Sequence, residues 1–271
     1  MNTFDTIVEE WIERYTGISL DVMDDDSIPV ISSNIFASKK QAIVALKFND
    51  KAVVIADPAW IDELSNVVNR MHSDLLFSQF GVYELARVTY QYGATPSGPS
   101  WYLFADKDMW HPVNDDRPVR LSDEEMKSVD RKVFWHCFVD EVVAGFGVFQ
   151  GNELVGLATV NEVGGSVMEI AMDVDPAMRW SGIGRAVVNS AGQWILRNGS
   201  VVMASVGAFN VPSARTLRSL GLVYMAHMIS VREGPFTIFP QALGSPSQDM
   251  PVYDYYPRSA MNSQILPGPN E

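Results

Sequence analysis

The stretch that decides the fold is "MDVDPAMRWSGIGRAVV", residues 172–188. It begins like a strand, turns at Pro176, and becomes helical just after Gly182 and Gly184. The first N–H groups of a helix lack internal partners, and the helix dipole is positive at that end. Glycines have no Cβ, so an anion can approach these N–H groups closely. We therefore predict an anion site, for a pyrophosphate, at this helix entrance.

Two arginines, Arg179 and Arg185, flank the glycines and can add charge-assisted hydrogen bonds to an anion. The alternative interpretation is a tight turn whose glycines only permit close packing, with both arginines solvated. The spacing differs from the G-x-G-x-x-G of a dinucleotide-binding βαβ unit, and no G-K-[ST] follows. The site is therefore predicted to belong to neither of those two nucleotide-binding classes.

The pattern around this stretch predicts a mixed α+β layer over residues 117–232. A short strand "RPVRL" comes first, and the capping box of Ser122 and Glu125 opens helical structure that is expected to continue to about Val143. Three antiparallel strands follow in "AGFGVFQ", "ELVGLATV" and "VMEIAMDV". The remaining elements are a helix to about Arg197, the strand "VVMASV", a helix over 211–220 and the strand "LVYMAHMISV".

The residues before this layer predict a second, smaller unit, which agrees with the length of 271 residues. An amphipathic helix is expected over 2–16, and two strands are expected in 41–57 around the turn signal Asn49-Asp50. A helix should begin at Pro58, because proline suits the first helical position. The stretch "GATPSGPS", residues 93–100, is predicted to be a loop before the strand "WYLFA".

Composition limits the partners. The net charge of −13 opposes sequence-independent binding to nucleic acid, so no nucleic-acid partner is predicted. No apolar run is long enough to suggest a membrane span, and the N-terminus lacks the features of a signal peptide, so we expect a cytoplasmic protein without a membrane partner. The single cysteine, Cys137, excludes an internal disulfide framework and a multi-cysteine metal site, and it is expected to be a buried apolar residue. The histidines lack metal-ligand spacing, so no metal site is predicted.

In order, these segments resemble the acetyl-CoA-binding core of the GCN5-related N-acetyltransferases (GNAT). That superfamily has V-x-P, then Q/R-x-x-G-x-G/A, then an Asn followed by Ser or Ala and closed by Gly-Phe. The matching residues here are Val174, Pro176, Arg179, Gly182, Gly184, Asn210, Ser213 and Gly221, with Leu222 in place of Phe. The resemblance implies a mixed, mostly antiparallel sheet flanked by helices, preceded by a smaller α/β N-terminal domain.

The resemblance also implies a cosubstrate, acetyl-CoA, and the residues that bind it. The backbone of Met172, Asp173 and Val174 should pair with the pantetheine arm and offer an N–H to the thioester carbonyl. The pyrophosphate is expected on the peptide that comprises Arg179, Trp180, Ser181, Gly182, Ile183, Gly184 and Arg185. Asn210 and Ser213 would contact the distal part of the cofactor. Trp180 would either stack on the acceptor or shield the helix entrance.

The catalytic groups are less well defined by the resemblance. Glu169 is predicted to be the general base, although the usual position falls on Met168 and neighbouring side chains alternate between the faces of a strand. Glu169 is alternatively a solvated or salt-bridged strand residue. The family's acid tyrosine is Leu217 here, so Tyr224 becomes the candidate acid, or else a core aromatic.

More narrowly, the chain resembles a bacterial subgroup of the superfamily with an N-terminal accessory domain. The predicted domains are 1–112, accessory; 117–232, acetyltransferase; and 233–271, an irregular tail. The N-terminal domain is expected either to cover the acceptor cleft or to serve dimerisation or scaffolding, so a homodimer is left open. The predicted function is N-acetylation of a small-molecule amine by direct attack on acetyl-CoA. The alternatives are a non-catalytic acyl-CoA sensor and a protein N-acetyltransferase.

Overall fold

The computed structural model describes residues 3–24, 26–33, 41–138, 141–178 and 181–234. The predicted tail over 233–271 therefore lies outside the described residues except for its first two, and Arg179 and Trp180 also lie outside them. Contacts divide the chain into two compact units. Unit 1 comprises Met1–Ile18 and Tyr102–Met225, and unit 2 comprises Ser19–Trp101 and Ala226–Glu271.

Unit 1 contains a mostly antiparallel sheet. Its strands are β5 (Val119–Arg120), β6 (Val142–Gln150), β7 (Glu153–Glu162), β8 (Val167–Val174) and β9 (Val201–Gly207). Their spatial order is β9-β8-β7-β6-β5, with β8 and β9 parallel and every other pair antiparallel. The three consecutive antiparallel strands predicted from the sequence are confirmed, and they place the "VMEIAMDV" segment beside β9 in the sheet.

Within the described residues, unit 1 has four α-helices. They are α1 (Phe4–Thr16), α5 (Asp123–Ser128), α6 (Ile183–Arg197) and α7 (Val211–Ser219). Helix α1 packs through Trp11, whose indole N–H donates to the carbonyl of Val163 at 3.2 Å and whose ring lies 5.4 Å from that of Phe104. Helix α6 is fixed by the buried Asn189, whose amide exchanges hydrogen bonds with the backbone of Val113. The side chains thus anchor both helices on this layer.

Unit 2 combines short helices with strands. Its helices are α2 (Ile61–Val68), α3 (Ser73–Leu76) and α4 (Gln79–Thr89). Strands β1 (Val30–Ser32), β3 (Lys51–Ala56) and β2 (Gln41–Phe48) lie in the order β1-β3-β2, followed by β10 (Val223–Glu233) and β4 (Ala94–Ala105). Strands β2 and β3 form the predicted hairpin, with Asn49 at φ 53° in its turn. The chain passes between the units within β4 and again within β10.

Two predictions about local structure are wrong. Helical structure does not continue to Val143: α5 ends at Ser128, a 3-10 turn covers Trp135–Phe138, and β6 begins at Val142. The side chain of Thr159 donates to the carbonyl of Cys137, so contacts with β7 hold this apolar segment outside a regular helix. The stretch 93–100 is mostly strand, because β4 lies beside β10 in the sheet: where the start of β4 meets the end of β10, the Thr95 hydroxyl donates to the carbonyl of Gly234 and the Gly234 N–H donates to that of Gly93.

The rest of the order in unit 1 agrees with the sequence, and the fold class, mixed α+β with a mostly antiparallel sheet, is confirmed. The predicted domain boundaries, 1–112, 117–232 and 233–271, stay a prediction. The contact units have other bounds, because α1 packs within unit 1 and β10 pairs with β2 in unit 2. None of the helices described by the structure is long and apolar enough to cross a membrane.

Candidate cofactor and catalytic site

Strands β8 and β9 separate in the middle of the sheet. Their register runs over Val167↔Val201, Met168↔Val202 and Glu169↔Met203, and within the described residues it ends there, although both strands continue. We call residues 167–169 of β8 the closed segment and residues 170–174 the open segment. The open segment stays paired with β7 on its other side, from Ile170↔Val160 to Val174↔Gly156. Its β9 side therefore offers strand backbone to an extended ligand.

The open segment leads directly to the N-terminus of α6. A 3-10 turn covers Pro176–Met178, and Gly182 is the N-cap of α6 with φ 77°, in the left-handed region that favours glycine. Among the described residues, only the guanidinium of Arg117 lies within 4 Å of the place where a Cβ on Gly182 would stand, at 3.6 Å. Among the described residues, little side-chain surface covers the start of α6, whose first N–H groups have no partner within the helix.

Three of the predicted cofactor residues bring helix and strand together. A Cβ on Gly184 would stand 3.4 Å from Val174 and 3.7 Å from the Met172 sulfur, so the even-numbered side chains of β8 face α6. Ile183 is 3% exposed and packs into the core, so only its backbone can face an anion. Ser181 and Arg185 are exposed beside Gly182, Ser181 before the helix and Arg185 in its first turn.

A cation that the sequence did not single out lies at this helix entrance. The Arg117 guanidinium donates to the carbonyl of Ser181 at 3.2 Å and pairs with the carboxylate of Asp115 at 2.6 Å. Asp115 raises the pKa of Arg117, so the guanidinium stays charged. Arg117 precedes β5 in the chain, far from the helix in sequence, and its position becomes visible only when the sheet is formed.

Asn210 and Ser213 are brought together at the start of α7. Asn210 is the N-cap of this helix, and its side-chain oxygen accepts the N–H of Ser213 at 3.3 Å. This is a helix N-cap in the ordinary sense, and it explains locally why an Asn precedes this helix. Both side chains are half-buried, so they keep surface for a ligand.

The predicted base, Glu169, lies at the last paired position of the closed segment. Its carboxylate accepts the hydroxyl hydrogen of Ser205 at 2.9 Å, across from β8 to β9. Because Met172 and Val174 face α6, the alternation of a strand puts Glu169, Ala171 and Asp173 on the opposite face. Met168, which occupies the family's usual position for the base, stands an even number of positions before Met172 and therefore lies on the face of β8 toward α6.

The face of β8 opposite α6 also holds the carboxylate of Asp173. This carboxylate accepts the N–H of His136 at 2.8 Å, and its other oxygen lies 3.8 Å from the imidazole Nδ1. Burial raises the pKa of Asp173 to about 6, although hydrogen bonds from His136 and Cys137 act in the opposite direction. The sequence pointed to Asp173 only for its backbone, and the signal for its side chain was its even spacing from Glu169.

The other candidate groups differ in their exposure. Tyr224 lies on β10 and is 36% exposed, with the guanidinium of Arg218 5.3 Å from its ring centre, so the alternative of a core aromatic is wrong. Leu217, at the position of the family's tyrosine, is 4% exposed and belongs to the core. Cys137 is buried as predicted, and burial raises the pKa of its thiol well above the usual value, which keeps the thiol protonated.

Comparison with known proteins agrees with this geometry at the level of the family. Residues 104–222 match the model of the acetyltransferase (GNAT) family. No curated protein matches the chain.

Solved structures similar to this chain include a GCN5-related N-acetyltransferase from Kribbella flavida, with 14% identity and a TM-score of 0.42, covering 56% of this chain and 64% of the other. A GNAT-family acetyltransferase from Colwellia psychrerythraea has 11% identity and a TM-score of 0.41, covering 55% and 61%. A GCN5-related N-acetyltransferase-like protein from Streptococcus suis has 13% identity and a TM-score of 0.39, covering 70% and 82%. The chain thus spans less than two thirds of the length of the first two.

Proposed function

Because residues 104–222 match the model of the acetyltransferase (GNAT) family, we propose that this protein is an acyl-CoA-dependent N-acyltransferase. It transfers the acetyl group of acetyl-CoA to the primary amine of a small molecule. The observation that carries the proposal is the separation of β8 from β9 immediately before the glycine N-cap of α6. One continuous segment then supplies strand backbone for the pantetheine arm and helix N–H groups for the diphosphate.

The residues present fit this cosubstrate. An extended arm that replaces β9 beside the open segment can pair with the backbone of residues 172–174, as a strand would. At the next turn, α6 begins with the N–H groups that a helix N-terminus offers to an anion, and the guanidinium of Arg117 lies beside Gly182. Arg185, exposed in the first helical turn, adds a second positive charge. Asn210 and Ser213 contact the distal part of the cosubstrate.

The chemistry needs no covalent enzyme intermediate. The neutral amine attacks the thioester carbonyl carbon directly, and a backbone N–H of the open segment stabilises the oxyanion that develops. The protein contributes mainly by holding both substrates in position and by removing a proton from the amine. Glu169 and Tyr224 are the base and acid that the family resemblance suggests.

A test of the proposal measures acetyl-CoA binding by calorimetry in a matched pair of variants. Gly182 and Gly199 lie at the two ends of α6, and both have φ 77°. Substitution by leucine therefore costs similar backbone strain at either end. A Cβ on Gly199 meets nothing within 4 Å among the described residues, so Gly199→Leu serves as the control. Gly182→Leu should weaken acetyl-CoA binding at least about tenfold, by blocking the helix N–H groups.

The same affinity in both variants, at similar melting temperatures, would refute the diphosphate assignment. Thiol release from acetyl-CoA over a panel of primary amines then tests the reaction itself. We expect turnover with at least one small amine. Turnover only with peptide substrates would instead favour a protein N-acetyltransferase.

The second candidate is an acyl-CoA sensor without catalysis. It is favoured by Leu217, which fills the place of the family's acid tyrosine with a buried apolar side chain. In that case the protein binds acetyl-CoA, Gly182→Leu weakens the binding, and no amine releases thiol. The binding and turnover measurements therefore separate the two candidates.

A further inference from the structure

We infer that the carboxylate of Asp173, with the imidazole of His136 beside it, binds the acceptor ammonium and takes its proton. This inference rests on the proposed function and assigns a catalytic residue within the same site. It replaces Glu169 in that role.

Position separates the two carboxylates. Glu169 is opposite Met203 at the end of the closed segment, and its carboxylate already accepts the hydroxyl of Ser205. Strand residues rise about 3.3 Å each, so Asp173 lies roughly 13 Å farther along the same face. It lies in the open segment, whose backbone is expected to hold the acyl arm. Asp173 is therefore the carboxylate that lies beside the expected thioester.

The surroundings of Asp173 hold its carboxylate in place and leave it accessible. The N–H of His136 fixes one oxygen at 2.8 Å. The side chain keeps 18% of its surface exposed, and the neighbouring imidazole keeps 47%. The ring of Trp135 lies 4.0 Å from the imidazole ring, so further aromatic surface adjoins the imidazole that lies beside the carboxylate. A fixed carboxylate beside aromatic rings is a suitable environment for an organic cation.

Among the described residues, the titratable groups that interact with the Asp173 carboxylate are His136 and Cys137, both on the 3-10 turn Trp135–Phe138. Glu169 lies on the same face of β8 but roughly 13 Å away. Within the described strand β7, the side chains of matching parity are Leu157, Thr159 and Asn161, which do not titrate. Partial burial, opposed by the hydrogen bonds from the turn, moves the pKa of Asp173 toward the working pH, which suits a general base.

The step balances as follows. The acceptor enters as R–NH3⁺, and the Asp173 carboxylate takes one proton, leaving R–NH2 and a carboxylic acid. The nitrogen lone pair forms a C–N bond to the thioester carbon, and the C–S bond breaks as its electron pair leaves with the CoA thiolate. The second proton of the nitrogen passes to the thiolate, which gives the acetamide and CoA–SH. Asp173 returns its proton to the solvent.

The experiment uses the full chain and follows thiol release from acetyl-CoA between pH 5 and 9, with the best amine of the panel. Asp173→Asn keeps a carbonyl oxygen that can accept the N–H of His136, so the 3-10 turn keeps its anchor. Glu169→Gln removes the rival carboxylate. Asp108→Asn, at an exposed position after β4, is the matched control. Calorimetry with acetyl-CoA and circular dichroism accompany every variant.

We expect the wild-type kcat/KM to fall about tenfold per pH unit below roughly pH 6, as a base of that pKa becomes protonated. Asp173→Asn should lower kcat about 100-fold and remove this acid limb, with acetyl-CoA affinity changed less than about threefold. Glu169→Gln should keep the limb. If Asp173→Asn fails to fold, His136→Ala serves instead: it keeps the backbone N–H that bonds Asp173 but uncovers the carboxylate, so the midpoint of the limb should move to lower pH, and an unchanged midpoint would overturn the inference.

Two failures are distinguishable. If the wild type releases thiol and Asp173→Asn retains the acid limb, or Glu169→Gln loses it, the inference is overturned while the proposed function stands. If the wild type releases no thiol with any amine, both are overturned. If that wild type still binds acetyl-CoA, the result favours the second candidate function, an acyl-CoA sensor without catalysis.

Discussion

The closed and open segments of β8 each carry one carboxylate on the same face, and the two carboxylates have different surroundings. In the closed segment, Glu169 lies on a fully paired strand and bonds Ser205 of β9. In the open segment, Asp173 lies beyond the last residue of β8 that pairs with β9, and partial burial raises the pKa of its carboxyl group. The difference teaches that strand pairing, more than residue type, separates a carboxylate that supports the sheet from one that is available for chemistry.

The largest effect that we expect is a pH dependence of the free energy of unfolding, caused by the raised pKa of Asp173. A carboxylate with a folded-state pKa of about 6 binds a proton more readily in the folded state than in the unfolded chain, where its pKa is about 3.9. The free energy of unfolding therefore falls as pH rises from about 4 to 6. Asp173→Asn lacks this loss. The difference in free energy of unfolding, variant minus wild type, should therefore be about 1–3 kcal/mol larger at pH 7.5 than at pH 4.5.

Urea unfolding at the two pH values measures this gain, and Glu169→Gln is the control from the closed segment. Any hydrogen bond lost in Asp173→Asn contributes equally at both pH values, so the pH-dependent part isolates the ionisation. A variant-minus-wild-type difference that is equal at pH 4.5 and 7.5 would show that Asp173 does not carry a raised pKa.

The second effect concerns the end of the open segment, where Arg117 covers the entrance of α6. If this guanidinium contacts the diphosphate, Arg117→Gln should weaken acetyl-CoA binding about tenfold at low salt, and less at high salt. Arg120→Gln is a matched control, because Arg120 lies on β5 with its guanidinium over the Trp194 ring. Calorimetry at two salt concentrations measures both. Equal affinities for the two variants would remove Arg117 from the site.

The sequence predicted the parts of the fold that depend on local signals. The glycine at φ 77° before α6 and the capping box of Ser122 and Glu125 both stand where the sequence indicated. The apolar run after Arg131 was mistaken for a helix, because its periodicity cannot show that Thr159 and Asp173 hold it as a 3-10 turn. Local patterns determine helix ends, while contacts from distant strands decide such segments.

The candidate site divides in the same way. The strand-turn-helix motif identified the backbone that can bind the cosubstrate, since close approach and helix N–H groups are properties of a short peptide. Arg117 and the Asp173 carboxylate were missed as side chains, because their roles depend on neighbours that lie 64 and 37 residues away. Alternation along β8 was the available signal for Asp173, and it needed the position of α6 to be interpreted.

The smallest expected effect tests the closed segment itself. Ser205→Ala removes the hydroxyl that donates to Glu169. Because Ser205 is exposed on β9 and the bond lies at the surface of the sheet, we expect a loss of about 0.5 kcal/mol or less in the free energy of unfolding. The kcat for the best amine should change less than about twofold. A large fall in kcat with unchanged stability would mean that Glu169 needs this hydroxyl for catalysis. In that case the general base would be Glu169, in the closed segment where β8 and β9 are paired, and not Asp173.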